Sequence, residues 1–148
     1  MKIVQKEAFF VTGIIVHAQW EELWEVMPKA WNTLFKRYPE IENRTDDVLM
    51  DISLKKEDGL YTQLIGAQTN KENQLPPKGM ETVAIPAKTY IHYRHEGSLQ
   101  EIADSFGKIY NWAKKEEVKA GDFKLDIGYT TSGEEEYHDL YVEVLSGK

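Results

Sequence analysis

IPAKTYIHYRHEGSLQEIADSFGKIYNWAKK, Ile85 to Lys115, decides the fold. Its first part is a strand. Thr89-Tyr90-Ile91-His92-Tyr93 is β-branched and aromatic, and Pro86 lies just upstream, where it need not donate to a ladder. Glu96-Gly97 turns the chain. Ser98-Leu99-Gln100-Glu101 then reads as a capping box, with Ser98 accepting from the Glu101 amide and the Glu101 side chain reaching back to the Ser98 amide. Leu99, Ile102, Ala103, Phe106, Ile109, Tyr110 and Ala113 follow at helical spacing. A strand thus feeds an amphipathic helix through a tight, capped turn.

The same order opens the chain. Ala8 to His17 is a strand, apolar on both faces and therefore expected to be central, and Gly13 within it suggests a bulge or a close backbone approach. Trp20, Leu23, Trp24, Met27, Trp31, Leu34, Phe35 and Tyr38 form one helical face. Pro28 inside that pattern is expected to kink the helix or start a second one, and Pro39 to end it. Val48 to Lys55 alternates as a half-buried strand, Lys56 to Gly59 is a hairpin loop, and Leu60 to Gln68 is the partner strand. Asn70 to Lys78 is polar, contains Pro, and reads as a linker. In the second half, Thr82 to His95 is strand interrupted near Pro86 and Ala87. Ser98 to about Lys115 is helix, Asp122 to Tyr129 strand, Thr131 to Glu136 loop, and His138 to Leu145 the last strand. Strand–helix–strand–strand therefore occurs twice, in pseudo-repeats of about 1–70 and 79–148 within a single domain. The expected class is α+β: a largely antiparallel sheet with two long helices on one face. The uncovered face is expected to curve into a cleft between the halves, where ligand sites are favoured.

Composition narrows the function. The 148 residues carry 25 acidic against 18 basic side chains, a formal charge of −7, which argues against a nucleic-acid binder dominated by phosphate contacts. The absence of cysteine excludes disulfides and thiolate chemistry. The apolar run from Ala8 to Val16 is short, broken by Thr12 and Gly13, and has no A-x-A cleavage signal. It is read as a strand and not a signal peptide. No stretch approaches a membrane span, so the expected location is the cytoplasm. There is no P-loop, G-x-G-x-x-G, H-E-x-x-H or G-x-S-x-G, and no cofactor is expected. Four Trp, eight Tyr and five Phe are enough for a core and for an aromatic-walled pocket as well.

The last strand supplies the candidate site. With period 2, Leu140, Val142 and Val144 share one face and should pack under the helices, leaving Asp139, Tyr141 and Glu143 on the uncovered face. Carboxylates beside an aromatic wall suit an aromatic cation, and partial burial with mutual repulsion is expected to raise their pKa values. Tyr90 shares a face with His92 and Arg94 and is the second candidate. Trp24 and Trp31 belong to the core by default, though one could reach the cleft, and Trp31 joins the candidate set. His95 is expected to satisfy backbone at the turn. His92 and His95 point to opposite faces, which rules against a two-His metal site. Glu134-Glu135-Glu136 reads as a solvated loop.

Several pieces, in their order and spacing, resemble the GyrI-like small-molecule-binding family, also seen as the effector-binding domain of AraC-type and MerR-type transcription activators. GMETVAIPAKTY is similar to the family's Gly-Met, short strand and Ile-Pro-Ala-Gly before Tyr. YIHYRHEGSL is similar to its Tyr-x-x-aromatic-x-His-x-Gly stretch through Tyr90, Tyr93, His95 and Gly97. IYNWAKK, DLYVEV and YTQLIGAQT, ending at Gly66, are similar to further family segments. Asp139 stands where the family usually has Glu, and Glu143 where it usually has Pro. The resemblance implies a stand-alone bacterial effector-binding domain without a DNA-binding segment, whose partner is a small hydrophobic or cationic molecule met by the acidic residue at Asp139. It also implies two alternatives: a hydrolase acting on reactive electrophiles in the same cleft, and a gyrase-inhibitory type of protein interaction.

Overall fold

The computed structural model describes residues 1–70, 75–133 and 137–146, so the Glu134 to Glu136 run and part of the linker lie outside the described residues. The chain runs β1 (Lys2–Lys6), β2 (Phe9–Gln19), α1 (Trp20–Arg37), β3 (Arg44–Glu57), β4 (Leu60–Thr69), β5 (Glu81–Ile85), β6 (Lys88–Glu96), α2 (Ile102–Lys115), β7 (Lys119–Tyr129) and β8 (Tyr137–Ser146). All eight strands form one antiparallel sheet in the order β1-β6-β8-β7-β3-β4-β2-β5. The two repeats, β2-α1-β3-β4 and β6-α2-β7-β8, join side by side at a central β3–β7 seam.

The leading strands are exchanged. β1 pairs with β6 of the second repeat, and β5 pairs with β2 of the first. This exchange forces the sheet to curl. β1 and β2 stand six places apart in the strand order, about 29 Å in a flat sheet. Yet only Glu7 and Ala8 connect them, and two residues reach no more than about 10 Å. The uncovered face is therefore rolled inward. Val11, Met50, Ile52, Leu64, Ile85, Tyr90, Phe123 and Leu125, drawn from both repeats, fill it as a common core. Gly13 and Gly66 permit a close approach of the β2 and β4 backbones within their ladder. They are register partners, and a Cβ on Gly13 would sit 1.9 Å from the Ile65 carbonyl oxygen.

Both helices cover the outer, convex face. Leu34 and its neighbours on α1 pack on Leu49, Ile65 and Ala67; Ile102, Ile109 and Ala113 of α2 pack on Ile91, Leu140 and Val142. Gln19 and Glu22 start α1 with a capping box. The Ser98–Glu101 box also forms, but its first turn is 3-10 before α2 proper. Pro28 neither starts a second helix nor breaks the first, for α1 runs unbroken through it. β1, with only five residues and a mostly exposed pattern, has no counterpart among the strands expected from the sequence. No described helix is long and apolar enough to cross a membrane.

Candidate functional site: the groove between the helices

Each helix lies over its own repeat, so the seam between β3 and β7 is left uncovered on the convex face. A groove of about 430 Å³ runs there. Its floor is made by residues of β3, β4 and β7 that point away from the rolled core: Asp51, Ser53, Gln63, Lys124, Asp126 and Tyr129. Trp24 of α1 forms one wall; Leu99, Ile102, Ala103 and Phe106 form the other. Trp24 is 74% exposed and meets Trp20 edge-on at 5.9 Å, and Trp20 in turn lies 5.7 Å from Tyr61. On the same stretch of α1, Trp20, Leu23, Met27, Pro28 and Trp31 border a contiguous apolar hollow of about 290 Å³ that shares Trp24 with the groove. Aromatic surface left in water at such a scale is a common mark of a binding face.

The floor is acidic. Asp51 and Asp126 are register partners across the seam, a like-charge pair that strands ordinarily avoid. Asp126 accepts from the Tyr129 hydroxyl and from His138 Nδ1 at 2.8 Å. Asp51 accepts from Gln63 Nε2 at 2.9 Å, and among the described residues no Lys, Arg or His forms an ion pair with it. Burial, then the neighbouring Asp126, push the Asp51 carboxyl up to about 7. Lys124 is also displaced from its ordinary range, downward, chiefly by burial. Its ammonium sits 5.8 Å and 5.9 Å from the centres of the Phe106 and Tyr110 rings.

Asp139, Tyr141, Glu143 and Tyr90 are brought together on the opposite, rolled-in face. Their neighbours are cations of the chain itself. Asp139 meets His92 Nε2 at 2.9 Å and Arg94 Nε at 3.1 Å; Glu143 meets Lys88 Nζ at 3.1 Å and accepts from the Phe123 amide at 3.2 Å. Gly121 makes the room for Glu143, since a Cβ there would lie 2.4 Å from its carboxyl oxygen. Tyr141 stacks on His92 at 4.7 Å and meets Tyr90 edge-on, with Lys6 Nζ 4.8 Å above its ring. The raised pKa expected of these acids is corrected at Asp139: burial alone would raise it, but hydrogen bonds and charge from Arg94 and His92 outweigh burial and hold it low. Tyr90 is fully buried, its hydroxyl without a partner among the described residues. A polar hollow of about 450 Å³, lined by Gln5, Lys6, Lys88 and Thr89 among others, opens at this rim.

Trp31 lies on the helix side, apart from the other four candidates. Its ring is 4.4 Å from Tyr129, which places it one aromatic ring behind the groove floor. His95 ties down the turn as expected, with Nε2 at 2.8 Å from the Ser98 carbonyl and Nδ1 at 2.6 Å from Ser105 Oγ.

Asp51 and Asp126 were not among the residues picked out from the sequence. The signal was present. Leu49, Asp51 and Ser53 share a strand face, as do Lys124 and Asp126, and in the structure these are the faces that look towards the helices. Polar residues on a helix-facing side mark the place where the helices part.

The comparisons with known proteins agree with this architecture. The model of a family described as Cass2, integron-associated effector binding protein, matches residues 2–144. The transcriptional regulator BrlR of Pseudomonas aeruginosa is 29% identical over 128 residues, covering 83% of this chain and 46% of that protein, so the chain spans about half the length of this curated relative. Among solved structures, SAV2435 bound to tetraphenylphosphonium superposes with a TM-score of 0.75 at 9% identity, covering 97% of this chain and 92% of that one. The integron cassette protein VCH_CASS2 of Vibrio cholerae gives 0.69 at 15%, covering 97% and 94%. The EcmrR C-terminal domain gives 0.70 at 12%, covering 99% and 97%.

Proposed function

This chain belongs to the Cass2 family of integron-associated effector-binding proteins, and from that premise we propose that it receives hydrophobic, aromatic organic cations in the groove between α1 and α2, for sensing or sequestration. Asp51 supplies the counter-charge. Trp24 and Phe106 supply the walls against which the aryl groups of such a cation pack, and Tyr129, backed by Trp31, the aromatic part of the floor. The observation that carries this reading is the contrast between the two faces: the carboxylates of the rolled face are paired with the chain's own cations, whereas among the described residues Asp51 forms no ion pair and feels only the more distant charge of Lys124. The neighbour solved with tetraphenylphosphonium supports the same ligand class. Asp139, Tyr141, Glu143 and Tyr90 then serve the rolled core, and any ligand role for them passes through the rim hollow. The test is calorimetry with tetraphenylphosphonium against an uncharged aromatic of similar size. Preferential binding of the cation, weakened in Asp51→Asn and Trp24→Ala, is the expected result. Equal binding by both variants sinks the assignment.

A hydrolase reading of the same groove has one observation in its favour. A carboxyl poised near neutrality can take a proton from water. Product formation by mass spectrometry, lost in Asp51→Asn, would separate turnover from stoichiometric binding.

A further inference from the structure

We propose that the groove works by exchange: one permanent organic monocation enters as one proton leaves the Asp51 carboxyl. The proposal rests on the reading of the groove as the cation site. Its geometry begins with the register. Asp51 and Asp126 face each other across the seam with their side chains on the same side of the sheet. Their surroundings are unequal. The Tyr129 hydroxyl and His138 Nδ1 both reach Asp126, whereas among the described residues the neutral Gln63 amide is the one hydrogen-bond donor that reaches Asp51. When the pair sheds a charge, it does so at Asp51.

Few other charges look onto the pair. β7 presents Lys124, with Asp122 beside it; β3 presents Lys56, which acts on Lys124; β8 presents His138. The helices contribute Trp24, Gln100 and Phe106 to the groove, all neutral. Lys124 forms no ion pair with Asp51 among the described residues and leans on the Phe106 and Tyr110 rings. Asp51, Asp126 and Lys124 together leave one negative charge. In the empty groove a proton on Asp51 cancels it; in the filled groove the ligand does. The site is therefore matched to a single delocalised positive charge, in preference to a dication or a neutral molecule.

Because burial and Asp126 set the Asp51 carboxyl at about 7, the exchange falls in the neutral range. Linkage then gives an affinity that rises about tenfold from pH 6 to pH 8. The probe is tetraphenylphosphonium, whose charge does not titrate, measured by calorimetry in phosphate and in Tris, which differ in heat of ionisation. The expected result is release of about 0.8 proton per ligand at pH 6.5 and about 0.1 at pH 8. Asp51→Asn should bind more weakly, release no proton and show a flat pH profile. Wild-type binding with no buffer dependence and no pH dependence overturns the exchange while leaving the groove as the ligand site. Proton release that persists in Asp51→Asn assigns it to another group and overturns the exchange too. Failure of the wild type to bind removes both the exchange and the proposed function. Should Asp51→Asn misfold, the carboxyl-carbon resonance of Asp51 in the wild type decides. Its midpoint should fall when the ligand is added, and an unmoved midpoint overturns the proposal.

Discussion

Asp51 and Asp126 stand directly opposite each other on the central β3–β7 seam between the two repeats of the sheet. A structure optimised for stability alone would put an opposite charge or an apolar pair there. Here the seam carries two acids, roofed by aromatic side chains from both helices. The cost of that arrangement is what a cationic ligand would relieve.

Removing the cost should stabilise the empty protein. The folded value of Asp51, about 7, lies above the ordinary aspartate value of 3.8, so its favourable contribution is complete below the lower value and is lost as pH rises through the upper one. Asp51→Asn keeps an oxygen for the Gln63 amide and is expected to be more stable than wild type by about 2 kcal/mol at pH 8, with the gap narrowing by pH 5 and closing only as pH falls below the unfolded value. Urea unfolding at the two pH values measures it.

Trp24 is mostly exposed, so its removal should cost the fold less than about 0.5 kcal/mol. Its loss from the groove wall should lower affinity for tetraphenylphosphonium about 5- to 30-fold, the range for an aromatic anchor. Titration calorimetry reads the affinity and thermal melting the stability. A variant that melts early without losing affinity would assign Trp24 to the scaffold.

Asp139→Ala should behave in the opposite way. It leaves His92 and Arg94 without their shared acceptor and is expected to cost about 1–2 kcal/mol at pH 7, with tetraphenylphosphonium affinity unchanged within about twofold. The folded value of Asp139 is depressed, so the stability it contributes is present above the unfolded value and is lost as pH falls through the folded one. The variant and the wild type should therefore converge in acid unfolding. A large loss of affinity would return the ligand to the rolled face.

Gly66→Ala should be among the most damaging small changes in the chain. The new Cβ would lie 2.2 Å from the Thr12 carbonyl oxygen, against backbone that has no room to move. A loss of about 3 kcal/mol or more, or failure to fold, is expected from overpacking at this close approach. Urea unfolding of the soluble fraction checks it.

Much of the fold can be read from residue patterns because they are local. The alternation in Val48 to Lys55, the helical face from Trp20 to Tyr38 and the Ser98–Glu101 cap each specify an element within a few residues of themselves. The face assignments of β6 and β8 were legible for the same reason: Ile91 and Leu140 do lie under α2, and Tyr90 and Tyr141 on the other side. What is not local was not legible. The exchange of β1 and β5 depends on pairing across about half the chain, and it turns the uncovered face from a cleft into a core. Asp139 and Glu143 then meet Arg94 and Lys88, partners that only the β6–β8 register reveals. Asp51 and Asp126 become a pair only once β3 and β7 are known to be neighbours.

The swapped leading strands also set an order of assembly. A ribosome extends a chain at about 5–20 residues per second, so β1 waits roughly 4–17 s between its own synthesis and that of its partner, Lys88 to Glu96. Until then the first repeat has no β5 beside β2, and the apolar inner side of its strands has nothing from the second repeat to roll against. The half-made molecule is a sheet with a raw edge, the state in which strands pair with the wrong neighbour. The chain is committed only when its second half arrives, and a separately expressed first repeat should seek that edge in another copy of itself.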